Sequence, residues 1–379
     1  MHIACVISSM RLGGAERVMS VLANRWVGQG HKVTLITFAN PDDLPFFALD
    51  EAIVQKKLGE AATERGLARA LRTVRRIKGI RRELLAARPD CVLSFIDLNN
   101  VMTLLALKGL DLPVVVSERI DPHKHVLGRI SDLLRRKTYP RADRLVVQTR
   151  RAASYFPDYP RDKMVVLANP IGAAERLATP DVPGRGGRFR IMATGRYTPM
   201  KGHDLLIDAF ALLAEKHPDW DVVFFGHGPS QAQLQSRIDG LGLGGRMRLM
   251  PPTTAIFDEL AQSHIFGFPS YYEGFPNALV EALSAGLPAV GFREVSGVED
   301  LIGHEVCGFL CDFGAGHDDA VRSLASRLDT LMGDGPLRSR MGAVGRERIA
   351  DYQPDVILEK WDKLISDVAA GRARGSAAC

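Results

Sequence analysis

Short runs of Val, Ile and Leu alternate with longer amphipathic stretches along the whole chain, and this alternation predicts the fold. In the first half the runs are strand length and mostly apolar, which indicates strands that are buried on both faces. These predicted strands cover residues 2–8, 32–38, 91–95, 114–117, 145–148 and 164–167. The helical patterns between them are typical of a parallel sheet with helices on both sides.

A second series of the same kind occupies the second half of the chain. Its predicted strands cover residues 190–194, 221–225, 248–250, 265–268, 289–291 and 308–311. Between the two series, residues 180–187 are rich in Pro and Gly and have no periodicity, as expected for a linker. The sequence therefore predicts an α/β fold of two Rossmann-like, doubly wound parallel-sheet domains that face a central cleft, with ligands at the carboxyl ends of the strands.

The predicted domain boundaries follow from these breaks in the pattern. Residues 1–172 form the N-terminal domain, residues 173–188 the linker and residues 189–352 the C-terminal domain. Residues 353–370 form a last helix that is predicted to cross back to the N-terminal domain. The tail, residues 371–379, is predicted to be disordered.

Charge is distributed unevenly over the 379 residues, although the net charge is only +5. Up to residue 180 the chain has 29 Lys and Arg against 18 Asp and Glu, whereas the remainder has 20 against 26. No apolar run is long enough to span a bilayer, and the chain begins in a predicted strand without the pattern of a signal peptide. We therefore predict a cytoplasmic protein whose basic first half allows peripheral contact with the inner face of the cytoplasmic membrane.

A helix is predicted to begin inside the segment 273–288, directly after a strand. Pro276 suits the first turn of a helix, because its φ is helical and its missing N–H is not needed there. The amides around Gly274, Phe275 and Asn277 can then face a diphosphate, since a helix N-terminus favours anions.

Two carboxylates flank this predicted helix start. Glu281 lies one turn inside the helix, where it can accept hydrogen bonds from ribose hydroxyls, and Glu273 can reach hydroxyls of a sugar from the loop. The alternative is that Glu281 is an exposed helix carboxylate and Glu273 a simple cap.

Cleavage of a bond between a sugar and a diphosphate leaves extra negative charge on the outer phosphate, and a cation is needed to neutralise that charge. Arg196 and Lys201, five residues apart after a predicted strand, can place a planar fork and a point charge on one diphosphate, or can be solvated surface charges. A metal held by Asp219 and Asp221 is the other route, but this pair precedes a strand and is interpreted as structural. Cys307 and Cys311 lack further ligands for zinc, so no metal and no cofactor are predicted.

Together these segments resemble the family-4 glycosyltransferases, which are retaining enzymes of the GT-B fold. The segment from Glu273 to Glu281 is similar to their Glu-x7-Glu signature. The other similar segments are Gly195-Arg196 with Lys201-Gly202-His203, Phe225-Gly226-His227-Gly228, Gly13-Gly14-Ala15-Glu16-Arg17 and Asn169-Pro170-Ile171. Their order and spacing cover nearly the whole chain.

The resemblance implies a metal-independent, retaining transfer of sugar from a nucleotide diphosphate sugar, such as a UDP-sugar. The N-terminal domain would bind the acceptor, a glycan or lipid-linked glycan of surface polysaccharide assembly, and the C-terminal domain the donor. The predicted donor site consists of Gly13, Gly14, Gly195, Arg196, Lys201, Gly226, Glu273, Gly274, Phe275, Pro276, Asn277 and Glu281. Among these, Glu273, Arg196 and Lys201 are predicted to be catalytic.

Two N-terminal segments complete the prediction. Gly13 and Gly14 follow the first strand, so their amides can approach an anion, or they only start a helix. The resemblance implies that this loop closes on the donor phosphates. It also implies that the acceptor is bordered by Arg11, Glu16 or Arg17.

One segment departs from the family pattern. Many relatives have a His after the strand at residues 114–117, whereas this chain has Glu118 and Arg119. Arg119 is predicted to face sugar or phosphate and Glu118 to accept the acceptor proton. The alternative is that the two side chains form a structural ion pair.

The basic stretch from Arg65 to Arg88 is predicted to be an amphipathic helix. Such a helix can rest on anionic lipid, or it can pack on the sheet with a solvated basic face. The location of this helix in the N-terminal domain favours lipid contact, because the same domain is predicted to hold a membrane-linked acceptor.

Three other functions are compatible with parts of the pattern. A nicotinamide oxidoreductase would need Gly-x-Gly-x-x-Gly after a strand, and neither glycine segment has that spacing. A nucleotide-sugar epimerase shares the predicted fold and differs by needing no acceptor. A nucleic-acid-binding module is disfavoured, because few aromatic residues accompany the basic patches.

Overall fold

A computed structural model describes residues 1–59, 67–125, 127–172 and 174–376. It consists of two compact units. Unit 1 comprises Met1–Asn169 and Asp355–Cys379, and unit 2 comprises Pro170–Pro354. Each unit contains one parallel sheet covered by helices, so the predicted fold class of two parallel-sheet α/β domains is confirmed.

Unit 1 contains a seven-stranded parallel sheet in the order β3-β2-β1-β4-β5-β6-β7. The strands are β1 His2–Val6, β2 Lys32–Thr37, β3 Val54–Lys57, β4 Cys91–Phe95, β5 Val114–Ser117, β6 Arg144–Val147 and β7 Met164–Val166. Six of them were predicted. Strand β3 was not, because this short edge strand is mostly exposed and so lacks the apolar run that marks the others.

The helices of unit 1 pack on this sheet through one apolar face. They are α1 Gly14–Gly28, α2 Leu67–Ala87, α3 Asp97–Ala106, α4 Arg129–Thr138 and α5 Arg150–Ser154. For example, Ile80 and Leu84 of α2 are fully buried in the same core as Val92 and Val116 of the sheet. Burial of such side chains contributes about 1.5–3 kcal/mol each.

Unit 2 contains a six-stranded parallel sheet in the order β10-β9-β8-β11-β12-β13. Its strands are β8 Phe189–Thr194, β9 Trp220–Phe225, β10 Met247–Met250, β11 Ile265–Phe268, β12 Ala289–Phe292 and β13 Gly308–Cys311. Its helices are α6 His203–Ala211, α7 Gln231–Gly240, α8 Ile256–Ala261, α9 Asn277–Ser284, α10 Val298–Ile302, α11 His317–Gly333 and α12 Gly335–Arg348. Because β9, β8 and β11 are neighbours, the loops that follow them emerge side by side at the carboxyl edge.

Residues 173–188 were predicted to be a linker. Residues 174–188 instead pack with unit 2, the boundary between units falls at Asn169 and Pro170, and residue 173 lies outside the described part of the chain. The amide of Ala178 donates to the carbonyl of Ala285 at 2.8 Å, and Arg338 donates to the carbonyl of Pro180 at 2.6 Å. Hydrogen bonds to residues far away in the chain do not produce a periodic pattern of apolar residues. The sequence of this Pro- and Gly-rich segment therefore could not predict them.

The last helix, α13 Pro354–Ser376, belongs to unit 1. Its Trp361 ring lies 5.9 Å from that of Phe95, and Asp362 accepts hydrogen bonds from Arg25 and Trp26 of α1. The helix runs past the predicted end at residue 370, because Ala and Arg residues favour helix even between glycines. Residues 377–379 of the predicted tail lie outside the described part of the chain.

Within the described ranges, the structure contains no helix that is both long and apolar enough to cross a membrane.

Candidate functional site

Three loops meet at the carboxyl edge of the sheet in unit 2. They follow β8, β9 and β11, and backbone hydrogen bonds join them. The amide of Tyr197 donates to the carbonyl of His227 at 2.8 Å, and the amide of Tyr271 donates to that of Met200 at 2.9 Å. These loops carry Arg196, Lys201, Gly226 and Glu273, which the sequence analysis assigned to one site.

Glycines allow the loops to approach this closely. A Cβ atom at Gly226 would lie 2.0 Å from the carbonyl oxygen of Gly195, which no real side chain tolerates. Gly202 has a φ of +59°, and a Cβ atom there would lie 2.2 Å from the carbonyl oxygen of Pro269. Because any Cβ would separate the backbones, only glycine fits at these two positions.

An ion pair between Lys201 and Glu273 lies at the centre of the three loops. Lys201 Nζ lies 2.5 Å from Glu273 Oε1, and Ser270 Oγ donates to the same oxygen at 2.8 Å. Both charged side chains are largely buried, with 17% and 11% of their surface exposed. Burial and the charge of Lys201 lower the pKa of the adjacent His203 to about 3, so this imidazole is neutral. Lys201 is therefore a fixed cation in a partly desolvated position.

Arg196 lies on the same loop as Lys201 but is solvent exposed. Among the residues described, its guanidinium has no hydrogen-bond or ion-pair partner. The structure thus places one held cation and one uncommitted cation after β8, five residues apart. A guanidinium without a partner is able to turn toward an incoming anion.

Helix α9 begins one residue later than predicted. Pro276 occupies the N-cap position rather than the first turn, and its ψ of 70° is not helical. The amide of Asn277 donates to the carbonyl of Phe275 at 2.9 Å, so it is not one of the amides that face a ligand. The amides of Gly274 and Phe275 have no acceptor in the part of the chain that the structure describes and remain available to an anion.

Glu281 lies in α9 and is only 9% exposed, so the alternative of an exposed helix carboxylate does not hold. A carboxylate this buried needs partners to offset its desolvation. Phe275 also lies inside the fold, where its ring stacks on that of Tyr352 at 6.1 Å.

In unit 1, the N-terminus of α1 is already covered by a carboxylate. Gly13 is the N-cap residue, and a Cβ atom there would lie 2.1 Å from Glu16 Oε2. A carboxylate at this end of a helix is stabilised by the helix dipole. Glu16 thus occupies the position where Gly13 and Gly14 were predicted to bind an anion, and it has to move before an anion can bind there.

Arg119 is the cation of unit 1 with the most unusual surroundings. It is 8% exposed, its guanidinium lies 4.4 Å from the centre of the Phe95 ring, and Nη2 donates to Asn169 Oδ1 at 2.5 Å. Its Nε and Nη1 atoms are buried and have no acceptor among the described residues. Burial lowers the pKa of Arg119 to about 9, while the charge of Glu16 opposes this shift. Donors left unpaired at the carboxyl end of a strand mark Arg119 as a candidate ligand-binding residue.

Glu118 points into the interior, and the alternative of an ion pair with Arg119 does not hold. Its carboxylate is 2% exposed and accepts a hydrogen bond from Tyr139 Oη at 2.5 Å, with Arg135 Nη1 3.8 Å away. Burial and the charge of Asp97 raise its pKa to about 7. This carboxyl group links the end of β5 to Tyr139 and to Arg135 of α4 inside unit 1.

The remaining predicted residues lie on the surface or at the opposite edge. Arg11 pairs with Asp43 at 3.4 Å, and both Arg11 and Arg17 are exposed near the start of α1. Asp221 lies at the amino edge of the sheet in unit 2 and pairs with Arg188 at 2.6 Å. This placement agrees with its structural interpretation.

Sequence reasoning missed two polar residues that support the candidate groups. Ser270 binds the carboxylate of Glu273, and Gln148 donates to Asn169 Oδ1 at 2.6 Å beside Arg119. Gln148 is the last residue of a predicted strand, and Ser270 lies two residues beyond another. A polar residue at the carboxyl end of a parallel strand is the pattern that could have revealed them.

These two parallel-sheet domains, one with a cation, a carboxylate and a helix start at its carboxyl edge, define a GT-B-type transferase. The family profile described as "Glycosyltransferase Family 4" matches residues 12–175, and the profile described as "Glycosyl transferases group 1" matches residues 179–348. The chain belongs to the family-4 glycosyltransferases and is a glycosyltransferase of the GT-B fold.

Individual relatives show the same relationship. An exopolysaccharide phosphotransferase of Streptomyces coelicolor is 28% identical over 95% of this chain, which spans only 40% of that relative's length. An undecaprenol-linked-glycan α-1,4-N-acetyl-D-galactosaminyltransferase of Campylobacter jejuni is 23% identical over 97% of this chain and 99% of its own. The structure of HepE from Anabaena with UDP and glucose has a TM-score of 0.76, at 18% identity, over 97% of this chain and 100% of that one. This structural likeness concerns the fold alone.

Proposed function

We propose that this glycosyltransferase is retaining and metal-independent, and that it transfers a sugar from a UDP-sugar to a growing, lipid-linked glycan of a surface polysaccharide. The ion pair of Lys201 and Glu273 at the carboxyl edge of unit 2 is the observation that carries the proposal. The relatives support it: the Campylobacter enzyme is named for an undecaprenol-linked acceptor, and HepE was solved with UDP and glucose.

Unit 2 holds the nucleotide diphosphate sugar. Lys201 and Arg196 neutralise the charge that develops on the departing diphosphate, and the amides of Gly274 and Phe275 add donors at the start of α9. Because Lys201 is already fixed by Glu273, little reorganisation is required when the charge develops. One held cation and one uncommitted cation thus supply the electrostatic stabilisation that other transferases obtain from a metal.

The carboxylates orient the donor rather than attack it. Glu281 accepts hydrogen bonds from the ribose, and Glu273 accepts them from hydroxyls of the transferred sugar. In the retaining step, the bond from the anomeric carbon to the diphosphate breaks, and the electron pair leaves with the phosphate oxygen. The acceptor oxygen bonds to the same face of that carbon, and its proton passes to the departing phosphate oxygen. In unit 1, Arg119 binds a phosphate or sugar through its unpaired donors.

Product analysis by NMR tests this function directly. The full chain is incubated with UDP-sugars and a lipid-linked acceptor in the presence of EDTA, and the anomeric configuration of the product is determined. We expect release of UDP that depends on the acceptor, an α-linked product from an α-linked donor, and rates unchanged by EDTA. An inverted product, or activity restored only by Mg²⁺ or Mn²⁺, would contradict the proposal. An epimerised sugar formed without acceptor would instead indicate the epimerase.

We also propose that unit 1 contacts anionic membrane through α2 and α4. Helix α3 contacts both of these helices, so they flank it. Exposed apolar side chains recur along them with exposed Lys and Arg between: Leu71, Val74, Lys78, Arg82 and Leu85 on α2, and Arg129, Ile130, Leu133, Leu134 and Lys137 on α4. Apolar side chains that enter the headgroup region, beside cations that attract anionic lipid, are the features of an interfacial helix. Arg65 and the side chain of Arg69 lie outside the described part of the chain.

The double variant Ile130→Ser/Leu133→Ser tests this contact, because these side chains are 77% and 51% exposed and support no core. We expect binding to phosphatidylglycerol vesicles to fall by about 10-fold or more, measured by co-sedimentation. Leu212→Ser/Leu241→Ser, on exposed positions of unit 2, is the matched control and should bind as the parent chain does. Equal binding by both double variants would contradict the proposal.

A further inference from the structure

A cavity lies in unit 2 at the amino edge of the sheet, the edge opposite Lys201. Its volume is about 590 Å³, which is within the range of about 300–1,000 Å³ typical of small-molecule sites. Four arginines line it: Arg176, Arg188, Arg190 and Arg248. We call this cavity the arginine recess.

Two of the four arginines in the arginine recess have no counter-charge. Arg188 pairs with Asp221 at 2.6 Å, and Arg190 pairs with Glu259 at 2.8 Å. Arg176 and Arg248 are exposed and have no hydrogen-bond or ion-pair partner among the described residues. The recess therefore carries about two uncompensated positive charges from its own lining.

A fifth arginine lies behind the recess. Arg338 is 2% exposed, and its guanidinium lies 4.8 Å from the ring of Phe189, which lines the cavity. It donates only to carbonyl oxygens, including those of Pro180 and Leu331 at 2.6 Å. Among the described residues Arg338 forms no ion pair within 4.0 Å, but Asp181, Asp334 and Asp219 act on its charge from farther away and oppose the lowering of its pKa by burial. A buried cation whose counter-charges lie farther away still raises the potential of the adjacent cavity, since it is screened little.

The composition of unit 2 does not account for this concentration of positive charge. Residues 170–354 contain 17 Lys and Arg against 23 Asp and Glu. One histidine, His264, also lines the recess. Its ring has the hydrogen bonds of a neutral imidazole, because Nδ1 accepts from the amide of Arg190 and Nε2 donates to the carbonyl of Val182. Four arginines gathered in one cavity of a net acidic unit, two of them without an ion-pair partner among the described residues, point to an anionic ligand.

We propose that the arginine recess binds a phosphate-bearing small molecule or headgroup at a site separate from the donor site. Arg176 and Arg248 supply the direct contacts, and Arg188 and Arg190 form the walls. Guanidinium groups match phosphate oxygens in geometry as well as charge. Strand β8 runs from Arg190, in the wall of the recess, to the loop of Arg196 and Lys201, so the recess and the donor loops lie at opposite ends of one strand.

Titration calorimetry with inorganic pyrophosphate tests the proposal on the full chain. We expect two classes of sites in the parent chain, of which Arg176→Ser/Arg248→Ser weakens one by at least about 10-fold. Lys201→Ala should weaken the other, so failure of the donor proposal is distinguished from failure of this one. Arg346→Ser is the matched control, because Arg346 is also exposed and without a partner among the described residues of unit 2.

Vesicles containing phosphatidic acid distinguish a lipid headgroup from a free phosphate compound. These vesicles are tested in the Ile130→Ser/Leu133→Ser background, which weakens the proposed contact through unit 1. A further fall in vesicle binding on adding Arg176→Ser/Arg248→Ser, with the Arg346→Ser control unaffected, supports binding of a headgroup in the recess. Weaker pyrophosphate binding with unchanged vesicle binding supports a soluble ligand. If the double variant matches the parent chain with both probes, the proposal is wrong.

Discussion

Replacing Lys201 with alanine is expected to lower kcat/KM for the sugar donor by about 10²–10³-fold, as is typical when one group that stabilises charge in the transition state is lost. The physical reason is that Lys201 is the fixed, partly buried cation of the site, 2.5 Å from Glu273. Its removal also leaves the Glu273 carboxylate, 11% exposed, without a counter-charge where the diphosphate must bind. Steady-state kinetics of UDP release, with circular dichroism to establish folding, measure the effect.

The matched control is Lys216→Ala, because Lys216 also forms an ion pair in unit 2, with Asp329 at 2.7 Å, but is 65% exposed. An exposed pair of this kind contributes little, so activity should be unchanged. The double variant Lys201→Ala/Glu273→Ala should lose much less than the product of the two single losses, since the residues act as a unit. A folded Lys201→Ala enzyme with parental kcat/KM would exclude Lys201 from the reaction.

The meeting of Lys201 and Glu273 shows what the sequence could and could not predict. The residues are 72 apart in the chain, and each could be assigned to a strand end from the apolar runs before it. Their contact depends on β8 and β11 being neighbours in the sheet, which local periodicity does not show. The resemblance to a family supplied that pairing. Ser270, which has no place in the quoted motif, was missed.

Glu118 and Arg119 show a limit of reasoning from position alone. Both follow β5, and successive residues of an extended strand point to opposite faces. The sequence did not show which residue points outward, so both were predicted to act. In the structure Glu118 turns inward to Tyr139, whereas Arg119 keeps two unpaired donors. Glu16 shows the same limit. Its carboxylate lies against Gly13 because of the conformation of its side chain, and the spacing of residues in the sequence does not determine that conformation.

Gly226→Ala is expected to lower kcat/KM for the donor nearly as much as loss of Lys201, although glycine has no functional side chain. The new Cβ would lie 2.0 Å from the carbonyl oxygen of Gly195 and 3.1 Å from the ring of the buried Tyr197. Neither neighbour can give way easily, because Gly195 is backbone and Tyr197 donates from its hydroxyl to the carbonyls of Phe224 and Met250. The loop after β8 must therefore shift and carry Lys201 out of position.

We expect kcat/KM for the donor to fall by about 10²-fold or more, since a displacement near 1 Å of a positioned group has an effect of this size. The free energy of unfolding should fall by about 1–3 kcal/mol, the range for overpacking, and the thermal midpoint by roughly 2–4 °C for each kcal/mol. Gly240→Ala, at a helical position where a Cβ meets nothing within 4 Å, is the control and should leave both quantities unchanged or slightly improved. Parental donor kinetics in Gly226→Ala would mean that close contact between the loops after β8 and β9 does not set the position of Lys201.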